Sequence, residues 1–285
     1  MISYSVLIPV YNEEETIGGL MEDVLPSESP GGFQRDDIVV VASGCSDDTV
    51  DVIEDYEGRV TFLREEERRG KASAIRKGIK NIESDVVVLS SGDLRWEEES
   101  LSRLLAPLKD DSVGVVTSRP SPSKERDDFT GFYNRFLWDL HHYLSRQEAK
   151  AGETIAFRNE VEDIPESCVA DEEYIVSRLE ESYEKIYAPD AVVRNRTPAS
   201  LGDIYLQRRR VFRGHIDLYF GEHYLTPSTD LSLLFKSLRE YIANEGFDIR
   251  MVPAVFIEAV ARADAFMRYL AGGEKPYIWK QVEQG

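Results

Sequence analysis

The sequence predicts an α/β fold, a mixed sheet flanked by helices with a C-terminal helical extension, and three observations carry that prediction. Short apolar runs alternate with helix-spaced stretches through residues 1–120, the order expected when a mostly parallel sheet is covered by helices. After Pro120 the order changes to a polar loop, an aromatic-rich helix and a second α+β portion. The last part of the chain is amphipathic at helical spacing only.

Taken in order, strands are expected at 4–10, 37–42, 60–63, 85–90 and 113–118, with helices at 13–24, 47–56, 71–82 and 98–105 between and after them. Ser46 and Asp47 stand where side chains cap a helix N-terminus. Residues 121–128 read as a loop and 129–144 as a helix; strands at 153–157 and 186–193 then flank a helix near 171–182. Helices are expected at 201–220, 230–244 and 254–270. In the last of these, Val255, Ile257, Val260, Phe266, Met267 and Leu270 alternate with Glu258, Arg262, Asp264 and Arg268. That spacing predicts an apolar side packed on the core, in preference to one lying on a membrane.

Composition narrows the function. The chain has 285 residues, 42% hydrophobic and 31% charged, enough apolar matter for a buried core. Its net charge of −19 excludes a general nucleic-acid binder, which needs clustered positive charge. The 34 basic residues include only 10 Lys, a Lys-poor, acid-rich balance suited to solvation in high salt. No run approaches the roughly 18 apolar residues that span a bilayer, and Met1 opens directly into a strand-like run. A cytoplasmic protein is expected, with at most peripheral contact at the inner membrane face. Cys45 and Cys168 lie far apart with no Cys or His at metal-binding spacing, which argues against a disulfide framework or a zinc site.

The chemistry concentrates at strand ends. Ile8-Pro9-Val10-Tyr11-Asn12-Glu13-Glu14 closes the first strand and Ala42-Ser43-Gly44-Cys45-Ser46-Asp47-Asp48-Thr49 the second. Ligands of open α/β sheets bind beyond the carboxyl ends of strands, so both segments lie where a nucleotide would sit. Arg69-Gly70-Lys71-Ala72-Ser73-Ala74 and Asp85-Val86-Val87-Val88-Leu89-Ser90-Ser91-Gly92-Asp93 follow. This ordered series resembles the family 2 glycosyltransferases, and the resemblance implies the GT-A fold. It also implies inverting transfer of a sugar from a nucleotide-diphosphate donor, a UDP-sugar in the first instance, to a hydroxyl of a glycan or lipid-linked acceptor. Cell-surface polysaccharide or glycolipid synthesis is the corresponding setting.

The resemblance assigns residues 1–197 to the catalytic domain, with a donor side at 1–120 and an acceptor side at 121–197, and leaves 198–285 as the helical region. Donor contacts are implied for Pro9, Tyr11, Asn12, Glu13, Ser43, Asp47, Lys71, Gly92, Asp93, Gln207 and Arg210. Asp47 also reads as a helix cap, and Glu13 and Glu14 as acids favouring a helix N-terminus. Asp93 occupies the last place of the metal-binding D-x-D, where Ser91 replaces the first acid. A single carboxylate would then share an octahedral Mg²⁺ or Mn²⁺ with diphosphate oxygens and water.

In the second half, Gly152-Glu153-Thr154-Ile155-Ala156-Phe157-Arg158 resembles the acceptor-side strand of the family. Val169-Ala170-Asp171-Glu172-Glu173 resembles the acidic pair that opens a helix and supplies the catalytic base, with Asp171 the first choice and Glu172 the alternative. Gln207-Arg208-Arg209-Arg210-Val211 resembles the Q-x-x-R-W motif with Val211 in place of tryptophan, and its guanidinium groups suit a departing diphosphate. A solvated basic face is the plainer alternative. His215 follows within a turn or two and is a candidate metal ligand. His141 and His142 read as packing or acceptor-groove residues, and Tyr133, Trp138 and Trp279 as packing aromatics able to stack on a sugar. Two other functions compete with transfer: a sugar-nucleotide nucleotidyltransferase, and a catalytically inactive glycan-binding relative.

Overall fold

The computed structural model describes residues 1–273 together with 277 and 278; Trp279 lies outside the described residues. Eight strands form one sheet in the order β3-β2-β1-β4-β7-β6-β8-β5. The first four to align are parallel: β1 (Ile2–Val10) lies between β2 (Phe33–Ser43) and β4 (Val86–Ser90), and β3 (Thr61–Glu65) adds to β2. β7 (Thr154–Arg158) runs antiparallel to both β4 and β6 (Val113–Pro122), which makes the sheet mixed. β8 (Glu184–Asn195) is parallel to β6, and at its far end pairs with β5 (Leu94–Trp96).

The central strands are buried on both faces, so each residue's parity decides its layer. In β1, Tyr4, Val6, Ile8 and Val10 join one core cluster with Leu20 and Met21 of α1 (Ile17–Val24) and Ile53 of α2 (Thr49–Glu54). Leu101 of α4 (Ser100–Leu105) packs in the same cluster. Leu7 points the other way, into a cluster with Ile75 of α3 (Lys71–Ile79) and Ile175 of α6 (Asp171–Leu179). A third cluster joins α5 (Phe129–Ser145), α7 (Leu201–Glu222), α8 (Leu231–Glu245) and α9 (Met251–Leu270) around Phe132, Phe136, Tyr241 and Met251.

The expected elements are all present within a few residues, and the structure adds β5, which the sequence did not show. Three residues are too few to show a period, and β5 exists because Leu94 to Trp96 find β8, about a hundred residues away. The expectation for the last helix is reversed for all its named apolar residues but Ile257, which packs against the third cluster. The buried side of α9 carries Ala254, Ala261 and Ala265 with the inward-facing Glu258 and Arg262, while Val255, Phe256, Val260, Met267 and Leu270 are exposed. Small residues let α9 lie close to α7, and the charges on that side find partners there: Arg208 pairs with Glu258, and Arg209 with Asp264 at 3.1 Å. No helix among the described residues is long and apolar enough to cross a membrane.

Candidate active site

The carboxyl ends of β1, β2 and β4 converge, and their loops are stitched together by side chains. Asn12, at a left-handed φ of 54° that asparagine tolerates, accepts the Ser46 amide at 2.9 Å. Asp47 accepts Thr49 Oγ1 at 2.6 Å and the Glu14 amide at 3.3 Å. Asp47 also accepts the Thr49 amide at 3.2 Å, so it holds the start of α2 and clamps two loops together. Ser43 donates to the buried Glu65 at 2.5 Å and accepts the Arg69 amide at 3.2 Å.

A cleft of about 970 Å³ lies over these ends. Pro9, Tyr11, Glu13, Ser43, Lys71, Gly92, Asp93, Asp171, Glu172, Gln207, Arg210 and His215 all line it; of the residues implied as site residues, Asn12 and Asp47 do not. Arg68 covers the Tyr11 ring at 3.6 Å from its centroid, a stacked wall that sequence reading missed. Gly92 packs so tightly that an added Cβ would stand 2.6 Å from Val10 Cγ1, so glycine is what lets the Asp93 loop close on β1.

Acids crowd the cleft. Glu13 is raised to about 8 by burial and then by the charge of Asp93. Glu153, at the start of β7, is raised to about 7 by the same two causes. Glu153 was read only as part of a strand; an acid abutting an apolar run was the signal available. Across the cleft Lys71 donates to Ser91 Oγ at 3.1 Å and to Glu172, and lies 3.8 Å from Asp171. Burial works against the ionised form of Glu172, but the charge of Lys71 and hydrogen bonds from Asp171, Lys71 and the backbone together outweigh it and hold the group down at about 2. Burial and the neighbouring Glu172 carboxylate push Asp171 well up instead. The pair is therefore split into one fixed anion and one carboxyl poised to exchange a proton. Both sit in the first turn of α6, and Glu173 beside them accepts Tyr224 at 3.0 Å.

The arginine motif divides. α7 is capped by Ser200, whose side chain accepts the Asp203 amide. Gly214 allows α7 to touch Ala170, since an added Cβ would stand 2.9 Å from the Ala170 Cβ. That contact brings Arg210 into the field of Asp171, Glu153 and Glu172. Arg208 and Arg209 point to α9 instead, and Arg213 donates to Gly273 O at 3.1 Å. Of the motif's guanidinium groups, Arg210 is the one beside the acid pair. His215 lines the same cleft, where burial and the charges of Lys150, Arg208 and Arg262 keep its ring neutral.

No group of three carboxylate, imidazole or thiol side chains that could hold a metal ion is found among the described residues. The electrostatics nevertheless suit a divalent cation beside Asp93, because its charge would relieve the repulsion that Asp93 exerts on Glu13 and Glu153. Asp93 would be its protein ligand, with the remaining positions left to diphosphate oxygens and water.

The model of the family described as "Glycosyl transferase family 2" matches residues 5–160. The chain belongs to this family. Among curated relatives, the poly-beta-1,6-N-acetyl-D-glucosamine synthase of Staphylococcus epidermidis (strain ATCC 35984) is 24% identical over 255 residues, covering 84% of this chain and 61% of that protein. The enzyme of that name from Staphylococcus aureus (strain COL) is 24% identical over 251 residues, covering 83% and 60%. The chain thus spans about three fifths of the length of these relatives. Among solved structures, a mannosyltransferase from Pyrobaculum calidifontis in complex with GDP-Man and Mn²⁺ aligns with a TM-score of 0.61 at 22% identity, covering 96% of this chain and 76% of that one. Glucosyl-3-phosphoglycerate synthase from Mycobacterium tuberculosis, in complex with Mn²⁺, UDP and phosphoglyceric acid, aligns with a TM-score of 0.54 at 18% identity, covering 77% and 79%. The family 2 chain therefore has the GT-A fold.

Proposed function

We propose that this family 2 protein transfers a sugar, with inversion, from a nucleoside-diphosphate donor to an acceptor hydroxyl. The observation that carries the reading is the split acid pair, Asp171 and Glu172, facing Asp93 and Arg210 across one cleft. The nucleotide lies over Pro9, Tyr11 and Ser43, and Arg210 meets the charge that grows on the departing diphosphate. Asp171, once its own proton has passed to solvent, accepts the proton of the acceptor hydroxyl as its oxygen attacks the anomeric carbon, and Lys71 keeps Glu172 ionised beside it. A bound Mg²⁺ or Mn²⁺ would neutralise diphosphate charge at Asp93. UDP and GDP appear in the solved relatives, and we take UDP as the first donor to try. The curated relatives are named for a polysaccharide, which supports a glycan or lipid-linked acceptor. The exposed apolar side of α9 supports a cytoplasmic protein that meets the inner membrane face peripherally.

The test is release of nucleoside diphosphate from a panel of nucleotide sugars with and without Mn²⁺. Metal-dependent release, abolished in a folded Asp93→Asn variant, is the expected result. Release of pyrophosphate would convert the reading to nucleotidyl transfer, and no release with any donor would leave a glycan-binding relative.

A further inference from the structure

Past the acid pair the cleft continues between the C-terminal helices, where two buried side chains have unmet hydrogen-bonding atoms. His215 is 4% exposed and Ser228 6%, and both line the cleft. Neither His215 Nδ1 nor Ser228 Oγ has a hydrogen-bond partner among the described residues. Buried polar atoms are seldom left unmatched, so two together mark a place for a ligand.

The charge around them favours an anion. Arg208 and Arg262 share one carboxylate, Glu258, through contacts of 2.5 and 3.2 Å, and Glu258 also accepts from Tyr133. Arg262 donates to Ser228 O at 2.8 Å, which ties the pair to the turn before α8. Two guanidinium groups against one carboxylate leave a positive charge in excess, which suits phosphate. Lys150 adds its field to the same ring, although Glu173 stands 3.2 Å from its ammonium group.

Apolar side chains line the same stretch of the cleft. Leu137 and Leu140 of α5, Leu234, Phe235 and Leu238 of α8, and Val255 of α9 line it, and Phe235 and Val255 are exposed at its rim. A sugar alone would leave these side chains wet, whereas a hydrocarbon chain would cover them.

We propose that this lobe binds an amphiphilic acceptor: its phosphate rests on Arg208, Arg262, His215 and Ser228, and its hydrocarbon chain lies between α5, α8 and α9. The proposal rests on the transfer reading and deepens it, because one cleft holds both this lobe and Asp171. Phosphate on a lipid and phosphate on a soluble ester share this chemistry, and the length of the attached chain separates the two sources.

Calorimetric titration without donor tests it, using octyl phosphate, inorganic phosphate and octanol as probes. Octyl phosphate should bind about tenfold or more tighter than either of the others, since both halves of the lobe then contribute. Arg262→Gln should weaken octyl phosphate about tenfold, and Leu234→Asp should remove its advantage over inorganic phosphate. UDP or GDP with Mn²⁺ should bind both variants as it binds the wild type. Octyl phosphate no tighter than octanol, or no tighter than inorganic phosphate, overturns the proposal, as does unchanged binding by Arg262→Gln. Should that variant fail to fold, Ser228→Ala replaces it: weakening of about threefold supports the site and unchanged binding refutes it. Nucleotide binding without octyl phosphate binding defeats this proposal alone; the converse defeats the transfer reading and leaves an amphiphile site.

Discussion

Residues 1–197 and the helices that follow them are built on opposite plans. The first region holds 42 Asp and Glu against 23 Lys and Arg, and residues 198–285 hold 11 of each, so the whole net charge of −19 belongs to the first. Exposed large apolar side chains run the other way: among the described residues, all but Met1 fall between Leu201 and Ile278. The first region buries its apolar side chains in two clusters and meets water with acids. The second turns charges inward, where Glu258 and Asp264 answer the arginines of α7, and leaves apolar side chains outward. The difference teaches that one chain can solve burial in two ways: a sheet edge that carries the acid pair needs a dry core on both faces, whereas helices whose inner charges pair with one another can leave an apolar exterior.

The largest expected effect sharpens that division. Asp171→Asn should lower turnover about 10²-fold or more with nucleoside-diphosphate affinity nearly unchanged. Steady-state kinetics with a titration of the nucleotide checks it, and a loss of that size in Glu172→Gln with Asp171→Asn active would move the base by one residue.

Stability should differ between the regions nearly as much. Leu7 is fully buried between sheet and α3, and Leu7→Ala should cost about 2–5 kcal/mol. Phe256, 68% exposed on α9, should tolerate Phe256→Asp within about 0.5 kcal/mol while losing retention on zwitterionic vesicles. Urea melts and vesicle co-sedimentation of both variants decide the matter. Equal destabilisation would break the comparison, because it would make the α9 exterior part of a core.

The smallest effect concerns the crowded acids. Glu13 and Glu153 titrate near 4.5 when unfolded, but burial and then the Asp93 charge raise them to about 8 and about 7 in the fold. Between those limits the folded chain holds more protons than the unfolded one, so stability present below pH 4.5 declines as pH rises through 7 and 8. Thermal melts of the ligand-free protein at pH 5.5 to 8.5 should fall toward high pH, and Glu13→Gln should flatten the decline. A melting temperature that climbs across this range would refute the crowding.

What the sequence determined by itself was local. Among the described residues, alternation of apolar runs with helical spacing placed seven of the eight strands and the nine α-helices to within a few residues, because that pattern reports which side of each element is buried. The ends of those strands brought Tyr11, Glu13, Ser43, Lys71 and Asp93 to one cleft, as strand topology requires. The tertiary structure decided the pairings. It gave β5 its partner in β8, set Asn12 and Asp47 to binding loops together, and placed Glu153 opposite Asp93. It also turned α9 over, because Arg208 and Arg209 on α7 meet Glu258 and Asp264 some fifty residues later. An amphipathic pattern shows that a helix has two sides, and only the partner charge across the contact fixes which of them is the inside.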